Sequence, residues 1–304
     1  MILCAGEALI DMLPRTTEAG EAAFAPHAGG AVMNTAVALG RLDIPVQFFS
    51  GLSSDLFGDV LREHLTASQV DSSVAAVSDR PTTLAFVRLV DGHATYAFYD
   101  ENTAGRMIGP DDLPRITADA VFVGGISLAV EPCAAAYEAL AARAAGKSVV
   151  MMDPNIRPGF IKDAAVYRDR IGRMMRNSDI VKLSDEDLAW LFPDTPLADA
   201  AAAVLDHGVK LLCVTEGAKG VTGYTPDGAY FVAAQKATVV DTVGAGDTFN
   251  AGLLASLHKA GALDTSRIAA LDKATIRDAM AMGARAAAVT VSRAGANPPW
   301  AHEL

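Results

Sequence analysis

Cysteine is scarce in this chain, and its basic residues do not cluster. The three cysteines, Cys4, Cys133 and Cys213, are odd in number, widely spaced and set in apolar runs. This pattern predicts buried thiols in a reducing compartment and excludes a disulfide framework. The formal net charge is −11, so the chain would repel nucleic acid and anionic membranes. A protein that acts on small molecules is the class that remains.

Long apolar runs are also missing. No stretch approaches the roughly 20 residues that a membrane-spanning helix needs, and no basic region precedes the apolar N-terminal stretch. We therefore expect a cytoplasmic protein without a membrane partner. The chain does have 304 residues, 51% of them hydrophobic, which is enough to bury a large core.

The most informative stretch is D-T-V-G-A-G-D-T-F-N-A-G at 241–252. It lies between an apolar run at 237–240 and a periodic segment at 249–257, so the predicted order is strand, glycine loop, helix. Gly244 and Gly246 permit backbone conformations in which successive N–H groups turn toward one point. Unpaired amides and the helix dipole at that point favour a bound phosphate.

Asp247 distinguishes this stretch from an ordinary phosphate loop. A carboxylate there would repel a phosphate, which suggests a general base that takes the proton of an attacking hydroxyl. The alternative is a helix N-cap, for which Asp is a preferred residue. Other nucleotide motifs fail on spacing, because Phe249 stands at the third glycine of a dinucleotide fingerprint and Ala141 at the first glycine of a P-loop.

The stretch at 241–252 resembles the C-terminal signature of the PfkB, or ribokinase-like, carbohydrate kinases. Further segments that resemble this family are G-G-A-V-M-N-T-A at 29–36, Gly51, D-L-F-G at 55–58, D-P-N-I-R-P at 153–158, T-E-G-A-K-G at 215–220 and S-R-A-G-A-N-P near the end. The resemblance implies an α/β fold: a ribokinase-like three-layer α/β/α sandwich with a mainly parallel central sheet and a small β-sheet lid. It covers residues 1–304 as a single kinase domain.

Strand alternation around a turn at Asp91 and Gly92 predicts an antiparallel hairpin set apart from the main sheet. In the family such strands form a lid over the sugar, here built from segments near 11–25 and 82–105. The alternation leaves open which hairpin face meets the sugar, and Phe98 is the candidate contact. Exposed lid strands often pair between subunits in this family, so a homodimer is expected.

The apolar runs at 1–5 and 8–13, separated by Gly6 and Glu7, predict one strand that bends or bulges. Asp11 lies near its end, where an Asp beside a proline is otherwise typical of a turn. The resemblance makes Asp11 a ligand of sugar hydroxyls. The substrate-binding residues implied in this way are Asp11, Gly29, Gly30, Asn34, Phe98, Arg157 and Asp247.

The substrate is expected to be a neutral hexose. The spacing F-Y-x-x-x-T-A-x-R-M at 98–107 is similar to fructokinases. Kinases for 2-keto-3-deoxygluconate carry an arginine near the lid that holds the substrate carboxylate. That arginine is absent at 96–98, although Arg88 and Arg106 are possible substitutes. The acid-sugar kinase and a ribokinase-type kinase therefore stay as alternatives, as does a non-catalytic sugar or nucleotide sensor, which the intact G-A-G-D disfavours.

The resemblance also implies which residues act in catalysis and which bind ATP. The acceptor is activated by Asp247, the phosphoryl group is held by the amides of 244–246, and Arg157 neutralises developing charge. The residues implied to act in catalysis are Asp247, Gly244, Ala245, Gly246 and Arg157. Those implied to bind ATP are Lys182, Ser184, Thr215, Gly217, Gly220 and Gly246.

Two metal ions are implied beside ATP. Mg²⁺ bridges the ATP phosphates, and the family's N-x-x-E segment serves it through water. Ser184 and Asp187 stand in the corresponding positions, so Asp187 is the candidate, although the helix dipole alone would explain an acid there. Some members bind a monovalent cation such as K⁺ through an acid and nearby carbonyls, here Asp241 and Val243.

Overall fold

The computed structural model describes residues 1–90 and 93–304, with side chains described outside 88–96. The predicted turn at Asp91 and Gly92 lies outside the described residues. In chain order the strands are β1 (Ile2–Ala5), β2 (Leu9–Thr16), β3 (Ala22–Gly29), β4 (Val46–Phe49), β5 (Gly51–Ser53), β6 (Ala76–Ser78), β7 (Leu84–Val90), β8 (His93–Tyr99), β9 (Ala120–Gly124), β10 (Val149–Asp153), β11 (Ile180–Ser184), β12 (Leu211–Thr215), β13 (Gly220–Thr225) and β14 (Gly228–Ala233). The α-helices are α1 (Ala31–Arg41), α2 (Leu56–Ala67), α3 (Cys133–Ala144), α4 (Ala164–Met175), α5 (Asp185–Leu191), α6 (Leu197–Leu205), α7 (Ala245–Lys259) and α8 (Lys273–Val291).

The central sheet has eight strands in the order β14-β13-β12-β11-β10-β9-β1-β4. Neighbours from β4 to β12 are parallel, while β13 and β14 add an antiparallel edge. Because side chains alternate along a strand, Ile2 and Cys4 enter the core beneath α1, α2, α7 and α8, whereas Leu3 and Ala5 enter the core beneath α3 to α6. These layers confirm the predicted α/β/α sandwich.

A second, smaller sheet has the order β3-β2-β7-β8, and we call it the small sheet. It contains the predicted hairpin, since β7 and β8 pair antiparallel. The prediction of one bent strand at the N-terminus is wrong: β1 belongs to the central sheet and β2 to the small sheet. The chain changes sheets at Gly6 and Glu7, where the Glu7 carboxylate is buried and accepts hydrogen bonds from the amides of Ala31 and Ser127.

The strand predicted at 237–240 is absent, and the chain has no regular structure between β14 and the start of α7. Val239 and Val240 are 63% and 61% exposed. The amides of Val240 and Asp241 donate to the carbonyl of Val291, at 2.8 and 3.2 Å. Their partner is therefore the end of α8 and not a neighbouring strand. The helix after the glycines starts at Ala245, earlier than the periodic segment indicated.

Helices α7 and α8 approach closely at a pair of glycines. A Cβ added to Gly252 would lie 2.7 Å from the Cα of Gly283, and one added to Gly283 would lie 2.7 Å from the ring of Phe249. The absent side chains let the two backbones touch. Helix α8 thus fixes the position of α7 and of the glycine loop at its N-terminus.

Cys4, Cys133 and Cys213 are all free and buried, which confirms the prediction of buried thiols. Across residues 1–90 and 93–304, none of the helices combines the length and the apolar character needed to cross a membrane.

Candidate active site

A cleft of about 290 Å³ opens where the central strands end, between the N-terminus of α7 and the small sheet. This position follows from the topology, because parallel strands present their loops at one edge of the sheet. The predicted site residues that line the cleft are Asp11, Gly30, Asn34, Phe98, Arg157, Val243, Gly244, Ala245, Gly246 and Asp247. Those that lie outside its lining are Gly29, Lys182, Ser184, Asp187, Thr215, Gly217, Gly220 and Asp241.

The glycine loop ends in an anion-binding helix start. Gly244 is the N-cap of α7 with φ +76°, and an added Cβ would lie 2.7 Å from the Cβ of Ala296. The Ala245 amide donates to the carbonyl of Thr242 at 3.3 Å. Within the described part of the chain, the amides of Gly246 and Asp247 have no acceptor. Two free N–H groups at the positive end of a helix dipole can therefore bind a phosphoryl oxygen.

Asp247 is the third residue of α7 and only 7% exposed. The alternative of a helix N-cap is therefore wrong. Its Oδ2 accepts a hydrogen bond from Asn34 Nδ2 at 2.9 Å, and its carbonyl accepts one from Thr35 Oγ1 at 3.2 Å. Burial raises the pKa of Asp247 to about 7, against the opposing effects of Asn34 and Lys182. A carboxyl with that pKa can exchange a proton near neutral pH.

The opposite wall of the cleft is polar at one end and aromatic at the other. Burial raises the pKa of Asp11 on β2 to about 6. Gly29 lies beside it on β3, where an added Cβ would be 2.3 Å from Asp11 Oδ2, so the glycine makes room for the carboxylate. The cleft faces Phe98 of β8, whereas Tyr99 points to the other side of the small sheet and is 63% exposed. The hairpin face that carries Phe98 is therefore the one that lines the cleft.

Arg157 lies in the loop after β10, which ends in a short 3₁₀ turn at Pro158–Phe160. Its guanidinium donates to the carbonyls of Asn155 and Ile156 at 3.3 and 3.1 Å. The side chain is exposed and lines the cleft. It is therefore accessible to an anion bound at the glycine loop.

The structure divides the residues predicted to bind ATP. Gly246 lines the cleft and Lys182 is buried within β11, whereas Ser184, Thr215, Gly217 and Gly220 lie at or just after the carboxyl ends of β11 and β12. Ser184 and Thr215 end β11 and β12 and are paired neighbours in the sheet. Gly217 follows with φ +54° in open space. Gly220 has a packing role, because an added Cβ would lie 2.2 Å from the carbonyl oxygen of Val232 on β14.

The two acids predicted to contact metal ions, Asp187 and Asp241, both accept hydrogen bonds from backbone amides. Asp187 accepts the amides of Ile156 and Ser184 at 2.9 and 3.0 Å. Asp241 accepts the amides of Val243 and Gly295 at 3.0 and 2.9 Å, and so connects the glycine loop to the segment after α8.

Sequence reasoning missed Glu7, which also lines the cleft. Its carboxylate accepts the Ala31 amide at 3.0 Å and the Ser127 hydroxyl at 3.0 Å. Burial raises its pKa, although these hydrogen bonds oppose the shift. The sequence feature that could have identified Glu7 is a single acidic residue between two apolar runs. Other lining residues that were not predicted are Leu9, Ala31, Ile126, Asn155 and Thr242.

Comparison with known proteins agrees with this geometry. The model of the pfkB family carbohydrate kinases matches residues 1–303. The chain belongs to this family, and it is a sugar kinase that transfers phosphate to an alcohol. The family assignment confirms the resemblance that the glycine loop and the segment at 29–36 indicated.

Individual relatives are fructokinases. The chain is 55% identical to a fructokinase of Rhizobium leguminosarum bv. trifolii, over 91% of this chain and 86% of the relative. A fructokinase of Xylella fastidiosa with bound ATP superimposes with a TM-score of 0.89 at 31% identity, covering 97% of this chain and 93% of that one. A double mutant of a Vibrio cholerae O395 fructokinase, bound to fructose, ADP and a potassium ion, gives 0.86 at 27% identity with the same coverages.

Proposed function

We propose that the protein is a fructokinase that transfers the γ-phosphate of ATP to a primary hydroxyl of fructose. The observation that carries this proposal is Asp247, a buried carboxyl beside two amides that have no acceptor among the described residues. An acceptor hydroxyl at Asp247 would face a phosphoryl group at the start of α7. The names of the relatives support the choice of sugar.

The proposed mechanism needs little covalent participation by the protein. Asp247 accepts the proton of the attacking hydroxyl, which contributes a factor on the order of 10² to 10⁴ to the rate. The amides of Gly246 and Asp247 hold the transferring phosphoryl. They replace the predicted set at 244–246, because the Ala245 amide already donates to the Thr242 carbonyl. Arg157 neutralises charge on the phosphoryl oxygens. A pKa of about 7 for Asp247 leaves a large fraction of the base ionised at neutral pH.

Sugar recognition is assigned to the opposite wall. Asp11 and Asn34 bind hydroxyl groups, Gly30 lets the sugar approach the backbone, and Phe98 covers an apolar face of the ring. The small sheet acts as a lid that excludes water, which would otherwise compete as the phosphoryl acceptor.

The neutral sugar is favoured over the acid sugar by the surroundings of Arg106. Its guanidinium lies 3.5 Å from Asp100 Oδ2 and donates to the Glu131 carbonyl at 3.1 Å, and the residue does not line the cleft. It is therefore occupied elsewhere and does not hold a substrate carboxylate. The other possible substitute, Arg88, has a side chain outside the described part.

The nucleotide is assigned to the edge formed by Ser184, Thr215 and Gly217. Mg²⁺ fits as an ion held by the ATP phosphates, where it neutralises their charge. Among the side chains that the structure describes, at residues 1–87 and 97–304, no cluster of three or more His, Cys, Asp or Glu is suited to a metal. Both carboxylate oxygens of Asp187 already accept backbone amides, so Asp187 is suited to contact Mg²⁺ through a water molecule.

We assign K⁺ to Asp241 and the Val243 carbonyl.

A homodimer is supported by the outer face of the small sheet. Phe24, Phe86 and Tyr99 form a row there, with ring centroids 5.0 and 5.5 Å apart. Phe24 is 47% exposed and Tyr99 is 63% exposed. Burying such a row against a second copy would remove apolar surface from water. Sedimentation of the wild type and of Phe24→Ser tests the proposed dimer, and a wild-type monomer at micromolar concentration contradicts it.

The use of ATP and the free thiols agree with a cytoplasmic location.

The function is tested by ATP consumption with Mg²⁺ and fructose, ribose, glucose, adenosine or 2-keto-3-deoxygluconate. We expect a strong preference for fructose. Asp247→Asn should lower kcat at least about 10²-fold while ATP still binds. Preference for the acid sugar would refute the choice of substrate. Activity retained by Asp247→Asn would refute the mechanism.

A further inference from the structure

A buried acid that the proposed mechanism does not use lines the cleft. Glu7 is 8% exposed. Among the side chains that the structure describes, no cationic group forms an ion pair with it. Burying a carboxylate without a cation is costly. The hydrogen bonds that Glu7 accepts must therefore offset this cost.

One oxygen of Glu7 binds the start of α1. The N-cap of this helix is Gly30, which has no side chain that could accept an amide of the first turn. Glu7 Oε1 accepts the amide of Ala31, the first residue of the helix, at 3.0 Å. A carboxylate in this position is also stabilised by the positive end of the helix dipole. Glu7 therefore caps α1, although it precedes Ala31 by 24 positions in the chain.

The other oxygen of Glu7 binds the turn that follows β9. Oε2 lies 3.0 Å from Ser127 Oγ, within the 3₁₀ turn Ile126–Leu128. Ser127 Oγ is also 2.7 Å from the carbonyl oxygen of Gly124, the last residue of β9. The carboxylate thus connects the end of a central strand to the start of α1.

Two glycines leave space for Glu7. A Cβ added to Gly125 would lie 2.0 Å from Glu7 Oε1, and one added to Gly30 would lie 2.8 Å from the Glu7 carbonyl oxygen. A side chain at either position would displace Glu7. The backbone on both sides is therefore fitted to this acid.

The first turn of α1 contacts the proposed base at two points. The Asn34 amide donates to the carbonyl of Gly30 at 2.8 Å, and Asn34 Nδ2 donates to Asp247 Oδ2 at 2.9 Å. Thr35 Oγ1 lies 3.2 Å from the carbonyl oxygen of Asp247. Because Ala31 and Asn34 belong to the same turn, a shift of the helix start would move the amide group that orients the Asp247 carboxylate.

We propose that Glu7 is a positioning residue for phosphoryl transfer: as the cap of α1, it holds Asn34 against Asp247 and so directs the base toward the acceptor hydroxyl. This rests on the proposed function, because it assigns Glu7 a role through Asp247. Glu7 itself takes no proton in the reaction.

Turnover by three variants tests the path from Glu7 through Asn34. Glu7→Ala removes the cap and should lower kcat about 10- to 30-fold, with the ATP KM within about threefold. If Glu7 acts through Asn34, the losses should not add, and Glu7→Ala/Asn34→Ala should have a kcat within about threefold of Asn34→Ala alone. A double variant whose kcat falls by the product of the two single losses would overturn the proposal. So would a kcat of Glu7→Ala equal to that of the wild type.

Glu7→Gln separates the cap from the charge. Its amide oxygen can still accept from Ala31, and its amide nitrogen can donate to Ser127 Oγ, whose own proton then turns to the Gly124 carbonyl. We therefore expect kcat within about threefold of wild type. A loss as large as that of Glu7→Ala would overturn the proposal, because the charge and not the cap would then be what matters.

A matched control removes a different helix cap. Asp272 is the N-cap of α8 and accepts the Thr275 amide at 2.8 Å. Asp272→Ala should lower the melting temperature, as Glu7→Ala should, but leave kcat unchanged. If kcat fell by the same factor in both variants, lowered stability would explain the effect and the proposal would be overturned.

Hydrogen exchange separates this proposal from the proposed function. Without substrates, the amides of residues 31–35 should exchange about tenfold faster in Glu7→Ala than in wild type or Glu7→Gln, because an uncapped first turn opens more often. Unchanged exchange would overturn the proposal even if fructose is the substrate. If the wild type phosphorylated none of the sugars, the proposed function would fail, whereas faster exchange would still support the anchoring of α1 by Glu7.

Discussion

Phe98 and Phe160 meet edge to face, with ring centroids 4.2 Å apart and planes at 76°. Phe98 belongs to the small sheet and lines the cleft. Phe160 ends the 3₁₀ turn that follows Arg157. The contact therefore joins the wall assigned to the sugar with the loop assigned to the phosphoryl group.

Phe160→Ala should raise the fructose KM about three- to tenfold. An aromatic pair contributes roughly 0.5–1.5 kcal/mol beyond its buried area, and its loss frees the small sheet from the Arg157 loop. Initial-rate kinetics over a range of fructose concentrations measure the effect. Phe231→Ala, on exposed β14, is the control and should leave KM unchanged. An unchanged KM for Phe160→Ala would mean that the contact does not hold the sheet over the sugar.

The pH dependence of kcat/KM for fructose should report the titration of Asp247. Its pKa is raised to about 7 by burial, with Asp153 and Glu7 acting in the same direction and Asn34 and Lys182 opposing. The base acts when ionised, so kcat/KM should fall about tenfold per pH unit below 7 and level off above it. Asp153→Asn removes a neighbouring negative charge and should move this limb to lower pH. If the fall in kcat/KM occurred at the same pH in Asp153→Asn as in the wild type, the electrostatic effect of Asp153 on Asp247 would be contradicted.

Asp11→Asn should stabilise the protein at pH 8 while weakening sugar binding. The folded pKa of Asp11 is about 6, against an ordinary 3.8. The folded state therefore holds the proton more tightly than the unfolded state, and this group costs stability as pH rises from about 4 through 6. Its removal should add roughly 2–3 kcal/mol to the free energy of unfolding at pH 8 and nothing below pH 4. Urea unfolding at the two pH values measures the difference, and an equal gain at both would contradict the assigned burial effect.

Asp241→Ala should reduce the stimulation of activity by K⁺. The substitution removes the proposed ligand and the two hydrogen bonds to Val243 and Gly295. Rates in KCl are compared with rates in a matched concentration of tetramethylammonium chloride. We expect K⁺ to raise the wild-type rate several-fold and to have little effect on the variant. Equal stimulation of both proteins would argue against a cation at Asp241.

The sequence predicted those parts of the site that depend on local pattern. The spacing of Gly244, Gly246 and Asp247 defines a loop and a helix start within a few residues. The segment at 237–240 could not be predicted in the same way, because apolar β-branched residues suit a buried strand as well as an extended segment bonded to the end of α8. The burial of the Glu7 carboxylate depends on Ser127, 120 positions away, which no local pattern reveals.

The ion pair between Lys182 Nζ and Asp153 Oδ2, 3.1 Å apart, was predictable only in part. The segment at 153–158 and Lys182 were both assigned to the site by resemblance. Their contact follows from the adjacency of β10 and β11, which the chain order of alternating strands and helices favours but does not specify. A side-chain contact between two strands can be predicted only when the order of the strands in the sheet is known.

The contact between Gly252 and Gly283 has a genetic consequence. Neither residue lines the cleft, yet a methyl group on Gly283 would press on Phe249, two positions from the proposed base. A screen for loss of kinase activity should therefore recover substitutions of Gly283 as well as substitutions in the glycine loop. An allele of this kind would be classed by its phenotype as an active-site mutation, although its lesion lies in the contact between two helices.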